Sequence, residues 1–111
     1  MEQMQLWNTL ATVAAYRNDT RELARSVAKA LPLTKGNKEY EIYSLGNEAL
    51  LFALTGDENT AVGRLRAALE LARNGKNLLA ERQIIEDFKT VAQLSQSDAV
   101  ARVARLVSEE K

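Results

Sequence analysis

The chain contains no cysteine and no histidine. The first absence excludes a disulfide frame, a zinc–thiolate site and a thiol nucleophile. The second removes the commonest general base near neutral pH and the commonest metal ligand. Charge of one sign is also missing, because 15 Lys and Arg balance 15 Asp and Glu. A generic electrostatic binder of nucleic acid or of an anionic membrane needs a positive excess, so both partners are excluded as expectations. No apolar run approaches the roughly 20 residues that cross a bilayer. No N-terminal stretch has the charged, apolar and small-residue order of a signal peptide. The expectation is a soluble, cytoplasmic protein. Glycines are few and scattered, five in all, with no phosphate-cradling loop among them.

What is present favours helix. Hydrophobic residues make up 46% of the 111 residues, enough for one packed domain. Ala and Leu dominate, and they lead the helix propensity scale, whereas β-branched residues are few. No segment alternates with period two between hairpin turns. Turn signals divide the chain into six helices, predicted over residues 3–17, 21–31, 38–55, 59–73, 78–94 and 98–108. The first offers Leu6, Trp7, Leu10, Val13 and Ala14 at helical spacing, the second Leu23, Val27, Ala30 and Leu31. Asn18-Asp19-Thr20 breaks the first helix, and Pro32 is expected to end the second, because a proline disfavours a helical residue before it. Gly56-Asp57 pairs a left-handed C-cap with an N-cap. Asn74 to Asn77 and Ser95-Gln96-Ser97 supply the later breaks.

The breaks recur. Asn18 and Gly56 are 38 residues apart, and Ser95 lies 39 beyond Gly56, a spacing typical of helical repeat arrays. Apolar positions correspond as well. Trp7, Ala11 and Ala14 precede the first break as Leu45, Ala49 and Phe52 precede the second and Ile84, Phe88 and Val91 the third. After the breaks come Leu23, Val27 and Ala30, then Ala61, Leu65 and Ala68, then Val100, Ala104 and Val107. The reading is an all-α domain over 1–111, built from three antiparallel helix hairpins at about 3–33, 38–75 and 78–108 that stack as an α-solenoid.

The middle unit carries Ala49, Phe52, Gly56, Asp57, Ala61, Leu65 and Ala68 at the signature spacing of the tetratricopeptide repeat family, which the chain resembles. The first unit matches through Trp7, Leu10, Ala11, Leu23, Val27 and Ala30, with Asn18-Asp19 in place of Gly-Asp. The third departs: Phe88 replaces a small residue and its turn lacks glycine. The repeat is also longer than the family's usual length of about 34 residues, and longer units are similar to domains of some bacterial transcription regulators and sensors.

The resemblance implies a TPR-like superhelix whose concave groove is lined by the first helix of each pair and receives a peptide or helix of a partner. Carried over by position, the groove presents Gln5, Asn8, Thr12 and Tyr16, then Tyr43, Gly46, Asn47, Leu50 and Leu54, then Arg82, Ile85, Glu86, Lys89 and Gln93. Asn8, Thr12, Tyr43, Asn47, Leu50, Arg82, Ile85 and Lys89 are the candidate partner-binding residues. A clamp for a C-terminal carboxylate, known in the family, does not fit. Asn47 and Arg82 stand at two clamp positions, but Asn8, Thr12 and Glu86 replace the lysine, asparagine and basic residue it needs.

Other patterns point to structure. Arg17, Arg21, Arg25 and Lys29 form a stripe read as a solvated outer face. Glu86-Asp87 and Glu109-Glu110 are adjacent carboxylates about 100° apart on a helix, so neither pair converges, and both are read as surface charge. Tyr40 and Tyr43 sit one turn apart, one expected near Trp7 and the other toward the groove. Gly46 and Gly63 lie inside predicted helices, and close helix contact is the favoured cause. On the last helix, Ala99, Val100, Val103, Ala104, Leu106 and Val107 cover an arc of roughly 160°. Val100, Val103 and Val107 are therefore expected to contact a second copy, a partner or further repeats.

Function follows from the architecture. The leading expectation is a protein-interaction module, an adaptor or scaffold, without cofactor or metal. The alternatives are a ligand- or peptide-responsive regulatory domain and a small secretion or assembly chaperone. No nucleophile–base pair, metal cluster or phosphate loop can be assembled, so an enzyme is not expected.

Overall fold

A computed structural model describes residues 2–109. Six helices follow in order: α1 (Glu2–Tyr16), α2 (Thr20–Thr34), α3 (Lys38–Leu54), α4 (Glu58–Asn74), α5 (Leu78–Ser95) and α6 (Asp98–Ser108). No strand occurs among the described residues. The chain is all-α, as its composition predicts.

One local device starts every helix after the first. Asp19, Asn37, Asp57, Asn77 and Ser97 each accept a hydrogen bond from the backbone N–H three residues on, satisfying a donor that the helix leaves free. The residue before each cap, Asn18, Gly36, Gly56, Lys76 or Gln96, takes positive φ. At three of these turns the cap N–H reaches back five residues: Asp19 to the Ala14 carbonyl at 2.9 Å, Asp57 to Phe52 at 2.8 Å and Asn77 to Ala72 at 2.8 Å. A left-handed residue closes one helix and a short polar side chain opens the next. In the fourth connection the glycine is one place early. Gly75 has φ −86°, and Lys76 takes the left-handed position.

Pro32 does not end α2, which runs on to Thr34. Proline removes only its own bond to the carbonyl four residues back, here that of Ala28. Both residues are exposed. The last turn is then held from inside. The buried Thr34 hydroxyl lies 2.9 Å from the Ala30 carbonyl and 2.7 Å from the Ser44 hydroxyl on α3.

Each helix packs on its successor, and α3 also packs on α1, α5 and α6. α1 further reaches α5, and α4 reaches α6. The radius of gyration is 12.4 Å, slightly below the roughly 13 Å of a globule this long. The chain is therefore closed up rather than extended. Alanines set the close approaches: Ala11, Ala15, Ala49, Ala61, Ala68 and Ala72 are fully buried, while Leu23, Leu50, Leu69, Phe88 and Val91 fill the space between helices. On α1 this reverses part of the expected core. Leu6 and Val13 are exposed, whereas Ala11 and Ala14 are buried as expected and Ala15 is buried beside them, because small side chains let α1 lie close to its neighbours.

The end of the chain is also corrected. Val100, Val103 and Val107 are buried, not free for a second copy or a partner. α6 is covered by α3, α4 and α5 together, and only Leu106 of its large apolar residues stays exposed. Glu109 is exposed, and Glu110 lies outside the described residues. Arg102 fixes α6 to α4 through two 2.9 Å bonds to Glu58, which hold the Glu58 carboxyl below its ordinary value. The stripe of Arg17, Arg21, Arg25 and Lys29 faces solvent, as expected. Gly46 is a close contact, since a Cβ there would sit 3.2 Å from Ile84. Gly63 is not, having open space beside it.

Candidate functional site

A cleft of about 410 Å³ is walled by alternate helices. α1 contributes Gln5, Asn8, Thr9, Thr12, Val13 and Tyr16. α3 contributes Glu39, Tyr40 and Tyr43, and α5 contributes Gln83 and Asp87. This volume lies within the range of roughly 300–1,000 Å³ seen for ligand pockets.

A buried polar ladder fixes the α1 and α3 walls. The Asn8 amide donates to the Tyr40 carbonyl (3.2 Å), and the Ser44 hydroxyl donates to Asn8 Oδ1 (3.0 Å). Asn47 donates to the Asn8 carbonyl (3.2 Å), and Thr12 Oγ1 lies 3.2 Å from Asn47 Oδ1. Thr34 completes the chain from α2. Among the described residues no buried side-chain nitrogen or oxygen is left without a partner. Such networks are costly when half satisfied and position their members tightly when complete.

The α5 wall is tied to α1 through Tyr16. The Tyr16 hydroxyl donates to Asp87 Oδ1 at 2.6 Å, across 71 residues of sequence. Gln83 donates to the same oxygen at 3.0 Å. Asp87 is only 7% exposed. Burial raises its pKa against the lowering effect of the Tyr16 and Gln83 bonds, and Glu86 raises it further. Burial, and then the bond to Asp87, pushes Tyr16 up to about 12. Tyr43 is raised as well, by burial first and then by the charges of Glu39 and Asp87.

The candidate residues divide between cleft and interior. Asn8, Thr12 and Tyr43 line the cleft, as do Gln5 and Tyr16. Asn47 and Leu50, expected on the open face, are 3% and 1% exposed. They lie against Ile84 and Phe88 of α5, where almost no free volume remains. Ile85 is half-buried against the core, and Arg82 and Lys89 are exposed outside the cleft. On α5 the cleft-facing pair is Gln83 and Asp87 rather than Arg82 and Glu86. That is a rotation of one residue, about 100° of helix. Ile84, Phe88 and Val91 take the interior and carry Asp87 in with them. Both Tyr40 and Tyr43 line the cleft.

Asp87 and Gln83 are the residues that sequence reasoning passed over. A signal existed. Ile84, Asp87, Phe88 and Val91 follow the i, i+3, i+4, i+7 spacing of a single face, so a carboxylate stands inside an apolar stripe. The Asp87–Tyr16 pair is ill suited to proton transfer near neutrality, because the tyrosine holds its proton up to about 12. Among the described residues no group of three or more acidic side chains gathers as a metal site. No described helix is long and apolar enough to cross a membrane. No protein-family model, no curated protein and no solved structure matches the chain.

Proposed function

We propose that the chain is a TPR-like helical repeat, with three hairpins stacked as a short superhelix, and that it acts in the cytoplasm as a protein-interaction module. A segment of a partner protein docks in the cleft between α1, α3 and α5. The observation that carries this reading is the cleft's construction. Alternate helices wall it, their polar side chains are fixed by the Asn8 ladder and the Tyr16–Asp87 bond, and its lining mixes amide, hydroxyl, aromatic and carboxylate groups. The near-identical turns inside the first two hairpins, at Asn18 and Gly56, support the repeat.

A photo-crosslinker placed at Thr9, exposed on the cleft wall, tests the reading. The same group at Arg25, on the solvated face of α2, is the control. A partner trapped from position 9 and not from position 25 is the expected result. Equal trapping at both, or none at 9, removes the docking site. The volume of the cleft favours a second reading, a domain that responds to a small ligand held in the same place. Thermal stabilisation by a compound, with no polypeptide trapped at position 9, distinguishes it.

A further inference from the structure

We propose that the cleft is a site for an organic cation, and that its occupant is a lysine or arginine side chain of the docked partner. The assignment rests on the docking reading above and names what the docked segment must carry.

Charge is the first observation. Two residues of the lining are carboxylic acids, Glu39 at the exposed edge and Asp87 in the wall, and among the described residues no lysine or arginine lines it. The chain as a whole is neutral, so this imbalance is local. The second observation is that no cation pairs with Asp87 among the described residues. Other interhelical carboxylates are answered: Glu48 by Arg64 at 2.8 Å, Glu81 by Arg73 and Glu58 by Arg102. Asp87 is more buried than any of these, yet the nearby charge acting on it is that of Glu86, of the same sign. Its hydrogen bonds from Tyr16 and Gln83 both fall on Oδ1; since no buried side-chain oxygen among the described residues lacks a partner, Oδ2 is the oxygen left open to the cleft that Asp87 lines. A buried carboxylate without a counter-charge costs stability unless something else recovers it.

The third observation is aromatic. The chain has three tyrosines, and Tyr16, Tyr40 and Tyr43 all line this cleft. Tyrosine faces attract ammonium and guanidinium groups. Two carboxylates of opposite exposure, three rings and the amide oxygen of Gln83 form a lining for a cation bearing several N–H donors on an apolar stem. A bare metal ion is a poorer match, since no third acidic ligand converges there. A side chain enters from the open edge, lays its stem along Val13 and the tyrosine rings, and places its charged head at Asp87.

The test titrates isotope-labelled full-length protein with acetyl-Gly-Arg-Gly-amide, its lysine counterpart, its citrulline counterpart and agmatine, read by amide NMR. Saturable shifts at Thr9, Thr12, Tyr43 and Gln83 with the arginine and lysine peptides, and none with citrulline, are expected. Asp87→Asn keeps the acceptor for Tyr16 and is expected to fold, with the same amide pattern elsewhere, while binding weakens about tenfold or more. Glu39→Gln, on an exposed position, is expected to weaken binding by a smaller factor. Equal binding of citrulline, or equal binding by Asp87→Asn, overturns the proposal. Binding of agmatine alone overturns the assignment to a polypeptide. Trapping from Thr9 that is indifferent to Asp87→Asn leaves docking in place and removes the cation, whereas loss of trapping in the wild type removes docking itself.

Discussion

Replacing Tyr16 by Phe removes one oxygen and nothing else from the α1–α5 tie. The hydroxyl donates to a carboxylate 93% out of solvent by residue exposure, at 2.6 Å. A hydrogen bond to a charged, buried acceptor contributes about 1.5–3 kcal/mol. Asp87 keeps Gln83 afterwards, so near-neutral stability should fall by roughly that amount, with a Tm loss of about 6–13 °C. The pH dependence follows from the direction of the shifts. Native Asp87 has a pKa above its ordinary 3.8, so its protonation is favoured in the fold. The stability that protonation confers is fully present below 3.8 and lost as pH rises through the raised native value. Tyr16→Phe removes a bond that favours the charged form, so the Asp87 pKa rises further and the variant's deficit shrinks in acid. Tyr16 itself, raised from 10.0 to about 12, adds stability that is present below 10 and lost as pH climbs toward 12. The variant must lack that alkaline loss. Urea denaturation followed by circular dichroism, across acid, neutral and alkaline pH, reads all of this. A neutral deficit below about 0.5 kcal/mol, or one unchanged in acid, refutes the role given to this bond.

Other outcomes follow from the same coordinates. Gly63→Ala should stabilise the protein by up to about 1 kcal/mol, since it replaces glycine in an exposed helix interior with open space around the new methyl. Gly46→Ala should do the reverse, by about 0.5–2 kcal/mol, because stiff Ile84 already lies 3.2 Å from where the methyl would go; Ile84→Val should relieve the loss non-additively in a denaturation cycle. Lys76→Gly should raise stability by about 1 kcal/mol, as glycine accepts the left-handed conformation that lysine now holds. Asn8→Ala should cost about 2–3 kcal/mol and quicken amide exchange at Ser44 and Asn47, because it leaves buried groups of the ladder unpaired. A thermal scan of each variant decides the sign.

Helix content, the turns and their caps were legible in the chain alone. Local chemistry governs them: Asp19, Asp57 and Ser97 open helices wherever they fold, and Gly56 closes one. A glycine inside a helix marks a close contact at Gly46 and does not at Gly63, which has open space beside it. The extension of α2 through Pro32 was not legible, because it depends on Ser44 of another helix meeting Thr34. The face that α1 buries was legible only in part. Leu6, Trp7, Leu10, Ala11, Val13, Ala14 and Ala15 cover an arc of about 200°, so periodicity marks a broad half of the helix, and the approach of α2, α3 and α5 makes its alanine side interior.

The candidate site divides along the same line. The positions carried over from the family resemblance reach the cleft at Asn8, Thr12 and Tyr43 and miss it at Asn47, Leu50, Arg82, Ile85 and Lys89. Asp87 could not be placed in this way. A carboxylate next to Glu86 reads as surface charge until Tyr16, 71 residues away, meets it. The sequence by itself determined where the backbone bends and where it coils, since those preferences act within a few residues. Tertiary structure decided which polar groups were taken out of water and which were left at the cleft, since desolvation depends on neighbours that the chain brings together only when folded.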